Sequence, residues 1–221
     1  MAESLEFVFP GETKTKTSSV GQLIDEQSNQ MYSSDKRFTA HAGDVVIGLV
    51  TFKTADFYRV DIRGCSSAML GTTAFNGATK RHKPDIRVGQ YVAAWIQRVD
   101  VDLGVELSCE DPATQRDWSS GDCNFGVLPT EISDHTLVFD ISVSYAANLQ
   151  IKQDTHPVLR SLARLVDKAE IVLGKNGRVF VRTASREQTL AVVKTVLLGE
   201  RLKPVQIEAL LKALLLQATH S

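Results

Sequence analysis

Two short segments in the first half of the chain combine aromatic rings with permanent cations. In residues 56–63 apolar and polar side chains alternate, as in a strand with one buried face. The side chains predicted to face solvent are those of Phe57, Arg59, Asp61 and Arg63. An aromatic ring can stack on a base while guanidinium groups bind phosphates, so this face suits a single-stranded nucleic acid. Taken alone, the segment favours the alternative that Phe57 covers the core and the arginines only face solvent.

The second segment, residues 77–85, places four basic side chains between a glycine and a proline. These are Lys80, Arg81, His82 and Lys83. Glycine and proline at its ends predict a loop, and three permanent cations give that loop a local positive field. A further strand is predicted over residues 86–98, which puts the loop at the rim of a sheet beside the first segment. Together the two segments predict an RNA-binding site.

The elements that must position these side chains form a small barrel. Residues 43–52 are too short and too rich in β-branched side chains for a helix, and they predict a first strand. Gly48 inside that strand is typical of a barrel strand that bends or is approached closely. Residues 43–110 are therefore predicted to fold as a closed β-barrel with one basic rim.

Several short motifs within this barrel resemble a known family. They are Gly43-Asp44, Val46-Ile-Gly-Leu-Val50, Tyr58-Arg-Val-Asp61, Phe75-Asn-Gly-Ala-Thr-Lys-Arg81 and Val88-Gly89. They resemble the S1-type RNA-binding barrel of RNA exosome cap subunits in the ribosomal RNA-processing protein forty, or exosome component three, family. Generic S1 barrels share the Gly-Asp opening and the Val-Gly, whereas the stretch ending at Arg81 is much more particular to this family.

The remaining sequence predicts two further domains, so that the fold class is mainly β with α+β. Residues 1–42 predict a small β-rich N-terminal domain with strand candidates at 5–9, 21–24 and 30–33. Residues 111–221 predict a KH-like α+β domain whose first part, 111–123, is a linker. Trp118 in that linker is expected to pack against a flanking domain. In the KH-like domain, strands are predicted at 126–128 and 136–141, and helices at 142–150, 157–166, 189–198 and from 203 onward.

A hairpin is predicted where the segment 174–177 reads Gly-Lys-Asn-Gly between two β-rich runs. Asn176-Gly177 is a strong signal for a two-residue turn with positive φ at both positions. The RNA-clamping loop of a KH domain is also written Gly-x-x-Gly, but that clamp joins two helices. Gly174, Asn176 and Gly177 are therefore assigned a structural role. The cap subunits carry a similar Gly-x-Asn-Gly motif, regarded as structural and lying near the contact with the barrel.

The last predicted helix carries an apolar stripe that has two possible uses. Its members are Ile207, Leu210, Leu211, Leu214 and Leu215. Such a stripe at helical spacing either completes a core or lines a groove for a partner, and core is the commoner use of a terminal helix.

Composition limits the function. The chain has 221 residues with 25 Lys plus Arg against 26 Asp plus Glu, a formal net charge of −1. This balance argues against a tight, stand-alone nucleic-acid binder, whose affinity comes mainly from neutralising phosphates, and it allows a weak RNA grip within an assembly. The sequence shows no membrane-spanning apolar run and no secretory signal at its start.

The sequence predicts neither a cofactor nor catalysis. The three cysteines are widely spaced without a Cys-x-x-Cys pair, and the five histidines are scattered, so no zinc site is predicted. No local signature supports a nucleophile paired with a base. We therefore expect a protein that is not an enzyme, with no metal, no small-molecule substrate and no membrane partner.

The resemblance implies a non-catalytic cap subunit of the RNA exosome. Such a subunit would bind single-stranded RNA, bridge ring subunits of the phosphorolytic-nuclease-like type and guide RNA 3′ ends to processing, including that of ribosomal RNA, or decay. It implies the nucleus and nucleolus, and also the cytoplasm. One alternative is a scaffold of the same architecture that binds only proteins. Another is an accessory part of a phosphorolytic nuclease, which the chain length and the order of the S1 and KH domains disfavour.

Overall fold

The computed structural model describes residues 23–25, 30–32, 37–100, 102–111, 114–120, 123–130, 135–166 and 168–219. Its first element is a hairpin in which β1 (Leu23–Asp25) pairs antiparallel with β2 (Gln30–Tyr32). These strands fall on the predicted candidates at 21–24 and 30–33. The strand predicted at 5–9 lies outside the described residues.

Five strands then close into a barrel. They are β3 (Val45–Lys53), β4 (Phe57–Asp61), β5 (Ala68–Phe75), β6 (Tyr91–Asp100) and β7 (Gly104–Cys109). The strand order is β3-β4-β5-β7-β6, with β5 parallel to β7, and β6 pairs back onto β3 to complete the circle. The predicted closed β-barrel is confirmed, because this pairing surrounds its core with sheet on all sides.

The inner face of β4 accounts for the alternation of apolar and polar side chains noted in residues 56–63. Tyr58 and Val60 are at most 1% exposed, and Ile62 just beyond the strand is also fully buried. Gly48 on β3 faces Val60 so closely that a Cβ atom at Gly48 would lie 2.1 Å from a Val60 methyl carbon. Glycine at position 48 therefore permits β3 and β4 to approach closely, as the sequence predicted.

Two predicted strand boundaries were wrong. The segment 56–63 leaves the sheet after Asp61, and Arg63 has a φ of 60°, which turns the chain out of the strand. The strand predicted from residue 86 begins only at Tyr91, because residues 87–90 form a turn with Gly89 at a φ of 93°. Alternation predicted the first segment as a strand and apolar content predicted the second, but residues with positive φ set where pairing begins and ends.

A sixth strand joins the barrel from beyond it. Strand β8 (Gly126–Val127) pairs antiparallel with β6 at Val92 and Ala93. The strand that the sequence predicted at 126–128 thus pairs with the barrel, a partner that strand propensity does not reveal. The domain boundaries 1–42, 43–110 and 111–221 stay a prediction.

The second unit combines a three-stranded sheet with four helices. Its elements are β9 (Thr136–Asp140), α1 (Val143–Ile151), α2 (Pro157–Leu165), β10 (Glu170–Leu173), β11 (Arg178–Arg182), α3 (Arg186–Gly199) and α4 (Pro204–Thr219). The sheet is antiparallel with order β10-β11-β9. Val179 and Val181 face the helices, whereas Phe180 packs with Ile47 and Ala93 of the barrel. The α+β part of the predicted fold class is confirmed.

The apolar stripe of α4 contributes to the core of this unit. Ile207 is 2% exposed and Leu211 is fully buried, and both belong to the core that also contains residues of α1, α2 and α3. The other three members of the stripe are partly exposed or packed at its margin. Of the two uses that the sequence left open, the core accounts for the most buried positions.

Candidate nucleic-acid interface

The outward face of β4 carries Phe57, Arg59 and Asp61 in sequence order. Arg59 is exposed, whereas Phe57 and Asp61 are partly buried. Arg59 lies opposite Phe52 of β3 on one side and Met69 of β5 on the other. The face therefore presents a row of three exposed side chains that crosses three strands.

Phe52 and Met69 were missed by the sequence analysis. Phe52 is 50% exposed and Met69 is 40% exposed, and the Arg59 guanidinium carbon lies 5.7 Å from the centre of the Phe52 ring. A guanidinium above a ring gains cation–π attraction and leaves the other ring face accessible. The bulge at Thr51 shifts the β3 register and brings Phe52 opposite Arg59. Only a prediction of strand register and of this bulge would have found the pair.

The basic loop is a defined turn with two cations at its corner. The Thr79 backbone N–H donates to the His82 carbonyl at 2.7 Å, and the His82 N–H donates to Thr79 Oγ1 at 3.1 Å. Lys80 and Arg81 occupy the two central positions and are exposed. Neither has an ion pair or hydrogen bond from its side chain to another described residue. Their charges are therefore available to a ligand.

Lys83 anchors the basic loop beside Phe57. Its ammonium group donates to the Ala55 carbonyl at 2.6 Å and to Thr72 Oγ1 at 3.3 Å. The Tyr58 hydroxyl donates to the Pro84 carbonyl at 2.7 Å, which ties the loop to the same end of β4. The structure thus fixes the loop at the end of β4 that begins with Phe57, and it uses the Lys83 ammonium to anchor the loop.

His82 faces the segment that follows the barrel. Its ring centre lies 5.0 Å from that of Trp118, with a tilt of 39° between the ring planes. Trp118 also packs at the edge of the barrel core, so the expectation that it packs against a flanking domain is confirmed. His82 is exposed on its other side, next to Arg81.

Arg63 does not join the other predicted contact residues. Its guanidinium Nη1 donates to the carbonyls of Ile141 at 3.3 Å and Asn176 at 3.2 Å, and it lies 3.6 Å from an Asp140 carboxylate oxygen. Its placement on the solvent-facing side of β4 was wrong, because the chain leaves that strand after Asp61. Arg63 instead links the barrel to the α+β unit.

The Gly-Lys-Asn-Gly segment is a hairpin between β10 and β11 with a three-residue turn. The Gly174 N–H donates to the Arg178 carbonyl at 2.8 Å, and the Gly177 N–H donates to the Gly174 carbonyl at 3.0 Å. Gly177 has a φ of 79°, whereas Asn176 does not have positive φ. The prediction of a two-residue turn was wrong. This is a tight turn closed by one left-handed glycine, the form in which a bulge follows the turn.

Asn176 uses its side chain to complete the barrel. Strand β3 pairs with β6 at residues 45–49 and with β4 only from Leu49 onward, so one edge of β3 is left open near Ile47. The Asn176 amide donates to the Ile47 carbonyl at 2.8 Å and to the Ile62 carbonyl at 3.0 Å, and its oxygen accepts from the Ile47 N–H at 3.3 Å. The side chain is fully buried, so it presents no surface to a phosphate.

Both glycines of this hairpin lie against backbone. A Cβ atom at Gly174 would lie 2.8 Å from the Ile47 nitrogen, and one at Gly177 would lie 2.6 Å from the Ile141 carbonyl oxygen. Real Cβ atoms are not found that close to backbone atoms, and the backbone at this contact cannot move aside cheaply. The hairpin is therefore packed too closely for side chains at either position.

Charged side chains at this contact are paired. Arg178, 9% exposed, donates to the Asp61 carbonyl at 2.5 Å and to the Asp61 carboxylate at 2.6 Å. Burial by itself raises the pKa of Asp61, but the hydrogen bonds from the Arg178 guanidinium and the Arg63 backbone N–H outweigh it and lower that pKa. Lys175 binds the buried Asp44 carboxylate at 2.7 Å. These cations have partners, whereas Lys80 and Arg81 have no side-chain partner among the described residues.

The described residues contain neither a candidate metal site nor a membrane-spanning helix. Among them, no group of three or more His, Cys, Asp or Glu side chains is arranged to hold a metal ion. Within the same residues, no helix has the length and apolar character needed to cross a membrane.

Comparison with known proteins identifies the barrel. A family model described as exosome complex component RRP40, S1 domain, matches residues 38–121. The chain is also similar to a solved structure described as an exosome complex RNA-binding protein, with a TM-score of 0.61 over 80% of this chain and 97% of that one. At 17% identity this likeness shows the fold.

Curated relatives extend the similarity beyond the barrel. Exosome complex component RRP40 of Saccharomyces cerevisiae is 30% identical over 74% of this chain and 64% of its own length. The human protein of that name is 33% identical over 72% of this chain and 53% of its own length. The chain thus spans between about half and two thirds of these relatives. The Schizosaccharomyces pombe protein is 30% identical over 82% of this chain, and the match covers 71% of that protein. The chain therefore belongs to the exosome complex component RRP40 family.

Proposed function

We propose that this protein is a non-catalytic, RNA-binding subunit of an exosome-type complex. The observation that carries the proposal is an aromatic strand face with a turn anchored at its end, whose two exposed cations have no side-chain partner among the described residues. Phe52, Phe57 and Arg59 lie on that face, and Lys80 and Arg81 lie at the corner of the turn. Membership of a family whose name is that of an exosome component supports the proposal.

The chemistry of this surface fits single-stranded RNA. Exposed rings stack on bases whatever their sequence, and cations beside them bind the connecting phosphates. A duplex would keep its bases paired and would offer the rings nothing to stack on. The surface therefore selects unpaired strands by the accessibility of their bases.

The small number of cations at the turn limits the RNA affinity of the isolated chain. With two exposed cations at the turn and a net charge of −1, the chain alone gains little from phosphate neutralisation. We therefore place it in an assembly, where neighbouring subunits hold the same RNA and raise its effective concentration. In this role it bridges ring subunits of the phosphorolytic-nuclease-like type and guides RNA 3′ ends toward the channel, in the nucleus, nucleolus and cytoplasm.

Affinity purification of the tagged full chain from cell extract tests the assembly. Mass spectrometry is expected to find phosphorolytic-nuclease-like ring proteins, retained after nuclease treatment because the bridging is between proteins. Recovery of other proteins without any ring protein would overturn the proposal. A fluorescent fusion in the same cells reports the compartments.

A second experiment separates an RNA-binding subunit from a scaffold that binds only proteins. Labelled single-stranded RNA is titrated with the purified complex containing either the parent chain or Lys80→Ala/Arg81→Ala. We expect the variant to assemble normally and to bind RNA more weakly. Equal RNA binding by both complexes would favour the scaffold. Incubation of the free chain with the same RNA, magnesium and phosphate is expected to leave the RNA intact.

A further inference from the structure

The segment that follows the barrel lies over the beginning of the basic loop. The backbone N–H of Trp118 donates to the Asn76 carbonyl at 3.0 Å. The carboxylate of Asp117 lies so close to Gly77 that a Cβ atom there would be 2.3 Å from it. These contacts fix the start of a short 3-10 helix, Trp118–Ser120, against the residues that lead into the turn.

The indole of Trp118 reaches from this helix to the far side of the turn. Its ring packs on His82, the last residue of the turn, and on the edge of the barrel core. The indole Nε1 is buried and has no hydrogen-bond partner among the described residues. The ring is therefore held by packing alone, and its shape is what matters.

The corner of the turn has few other attachments. Thr79 and His82 bond only to each other across it, and Lys83 anchors the chain one residue further on. Lys80 and Arg81 lie between these points without side-chain partners among the described residues. The packing of the His82 ring on Trp118 adds a restraint on the corner from outside the turn.

We propose that Trp118 is a positioning residue for the RNA grip: by packing on His82 it holds the turn so that Lys80 and Arg81 point together toward the phosphates. The proposal rests on the proposed function for its consequence, but not for its geometry. Fixing cations before the ligand arrives avoids their ordering cost on binding. The linker after the barrel is thereby part of the RNA-binding surface.

Hydrogen exchange on the free full chain tests the geometry without RNA. The variants are Trp118→Ala and Trp118→Phe, where phenylalanine keeps a ring and loses only an Nε1–H that makes no bond to the described residues. We expect Trp118→Ala to speed exchange of the Thr79 and His82 amides by about tenfold, because the turn then opens locally. Trp118→Phe should stay close to the parent. Unchanged exchange in Trp118→Ala would overturn the proposal.

A double-mutant cycle tests the consequence. Trp118→Ala is expected to weaken single-stranded RNA binding by roughly threefold to tenfold in the parent, and to have no further effect in Lys80→Ala/Arg81→Ala, because coupled residues are not additive. Equal losses in both backgrounds, as general damage to the barrel would produce, contradict the proposal. If Lys80→Ala/Arg81→Ala itself leaves RNA binding unchanged, the proposed function fails while the exchange experiment still decides the role of Trp118.

Discussion

Arg178 and Arg81 show how differently two arginines of one chain are used. At the contact between the barrel and the α+β unit, Arg178 is 9% exposed, and its guanidinium donates to both the backbone carbonyl and the carboxylate of Asp61. At the basic turn, Arg81 is exposed and has no partner among the described residues. A buried cation without a partner would cost several kcal/mol, and Arg178 avoids this cost by pairing with Asp61. Arg81 is exposed and needs no such partner, so it remains available to a ligand.

The same comparison applies to the strand that joins the two regions. Along the outer face of β4, Phe57 lies beside the basic loop, and Asp61 binds the α+β unit. Arg59 between them packs on Phe52. One strand therefore both fixes the second unit and presents the candidate RNA surface. Changes at its two ends should separate stability from binding.

The largest expected effect is at Gly177. Gly177→Ala forces a Cβ onto the Ile141 carbonyl in a left-handed conformation, and we expect it to lower the free energy of unfolding by about 2–5 kcal/mol. Gly104→Ala is the matched control, since Gly104 has a similar φ of 84° but nothing within 4 Å of its Cβ position. Urea unfolding of both variants measures the difference. Equal losses would mean that strain alone, and not the close contact, acts at Gly177.

At the start of β4, loss of the Phe57 ring should weaken RNA binding. Phe57→Leu keeps an apolar side chain but removes the aromatic face, and we expect RNA affinity to fall by roughly 1–3 kcal/mol with little change in salt dependence. Leu103→Ala, an exposed apolar residue of the β6–β7 hairpin, serves as control and should leave binding unchanged. Fluorescence anisotropy with a short RNA measures both. A loss of stability equal to the loss of binding would reassign Phe57 to the core.

The two free cations should determine the salt dependence. Lys80→Ala/Arg81→Ala is expected to reduce the slope of log affinity against log salt by about 1.4, since each phosphate contact on a single strand contributes about 0.7. Lys194→Ala/Arg201→Ala removes the same charges from exposed positions on and just after α3. Titrations at several salt concentrations compare the two. A smaller slope in both variants would mean that net charge, not the turn, attracts RNA.

For the outer face of β4, the sequence predicted which side chains face solvent but not which side chains of the adjacent strands lie beside them. Alternation along β4 was enough to assign Tyr58 and Val60 to the core and Arg59 to solvent, because a strand has a period of two. The row with Phe52 and Met69 depends on cross-strand register and on a bulge at Thr51, neither of which leaves a local signal.

The hairpin at 174–177 shows the same limit. Its residue types predicted a tight turn, but not that only Gly177 has positive φ or that the Asn176 side chain binds Ile47 of a distant strand. Arg63 was misplaced for a related reason, since a single residue with positive φ moved it from a strand face to the contact between the units. Long-range partners decided these positions, and local patterns do not report them.

The smallest expected effect is on the pH dependence of stability. It compares the Asp61–Arg178 pair, at the contact between the units, with the Asp85–Lys53 pair near the basic turn. The pKa of Asp61 is lowered, so its contribution to stability is complete above its unfolded value near 3.8 and is lost as the pH falls through its lower folded value. Asp61→Asn should cost less than about 1 kcal/mol at pH 7, because Asp61 is partly exposed and Arg178 keeps the residue 61 carbonyl and the Asp140 carboxylate, 3.7 Å away, as partners. The difference from the parent should shrink toward pH 3.

Asp85, which pairs with Lys53 below the basic turn, also has a lowered pKa, owing first to its hydrogen bond with Lys53, but it is 82% exposed. Solvent and salt screen such a pair, so Asp85→Asn should change stability little at either pH. Urea unfolding of parent and both variants at pH 7 and pH 3 makes the comparison. If the difference caused by Asp61→Asn is the same at both pH values, the carboxylate charge is not what binds Arg178. In that case the contact between barrel and α+β unit depends on neutral hydrogen bonds and packing, as at Asn176.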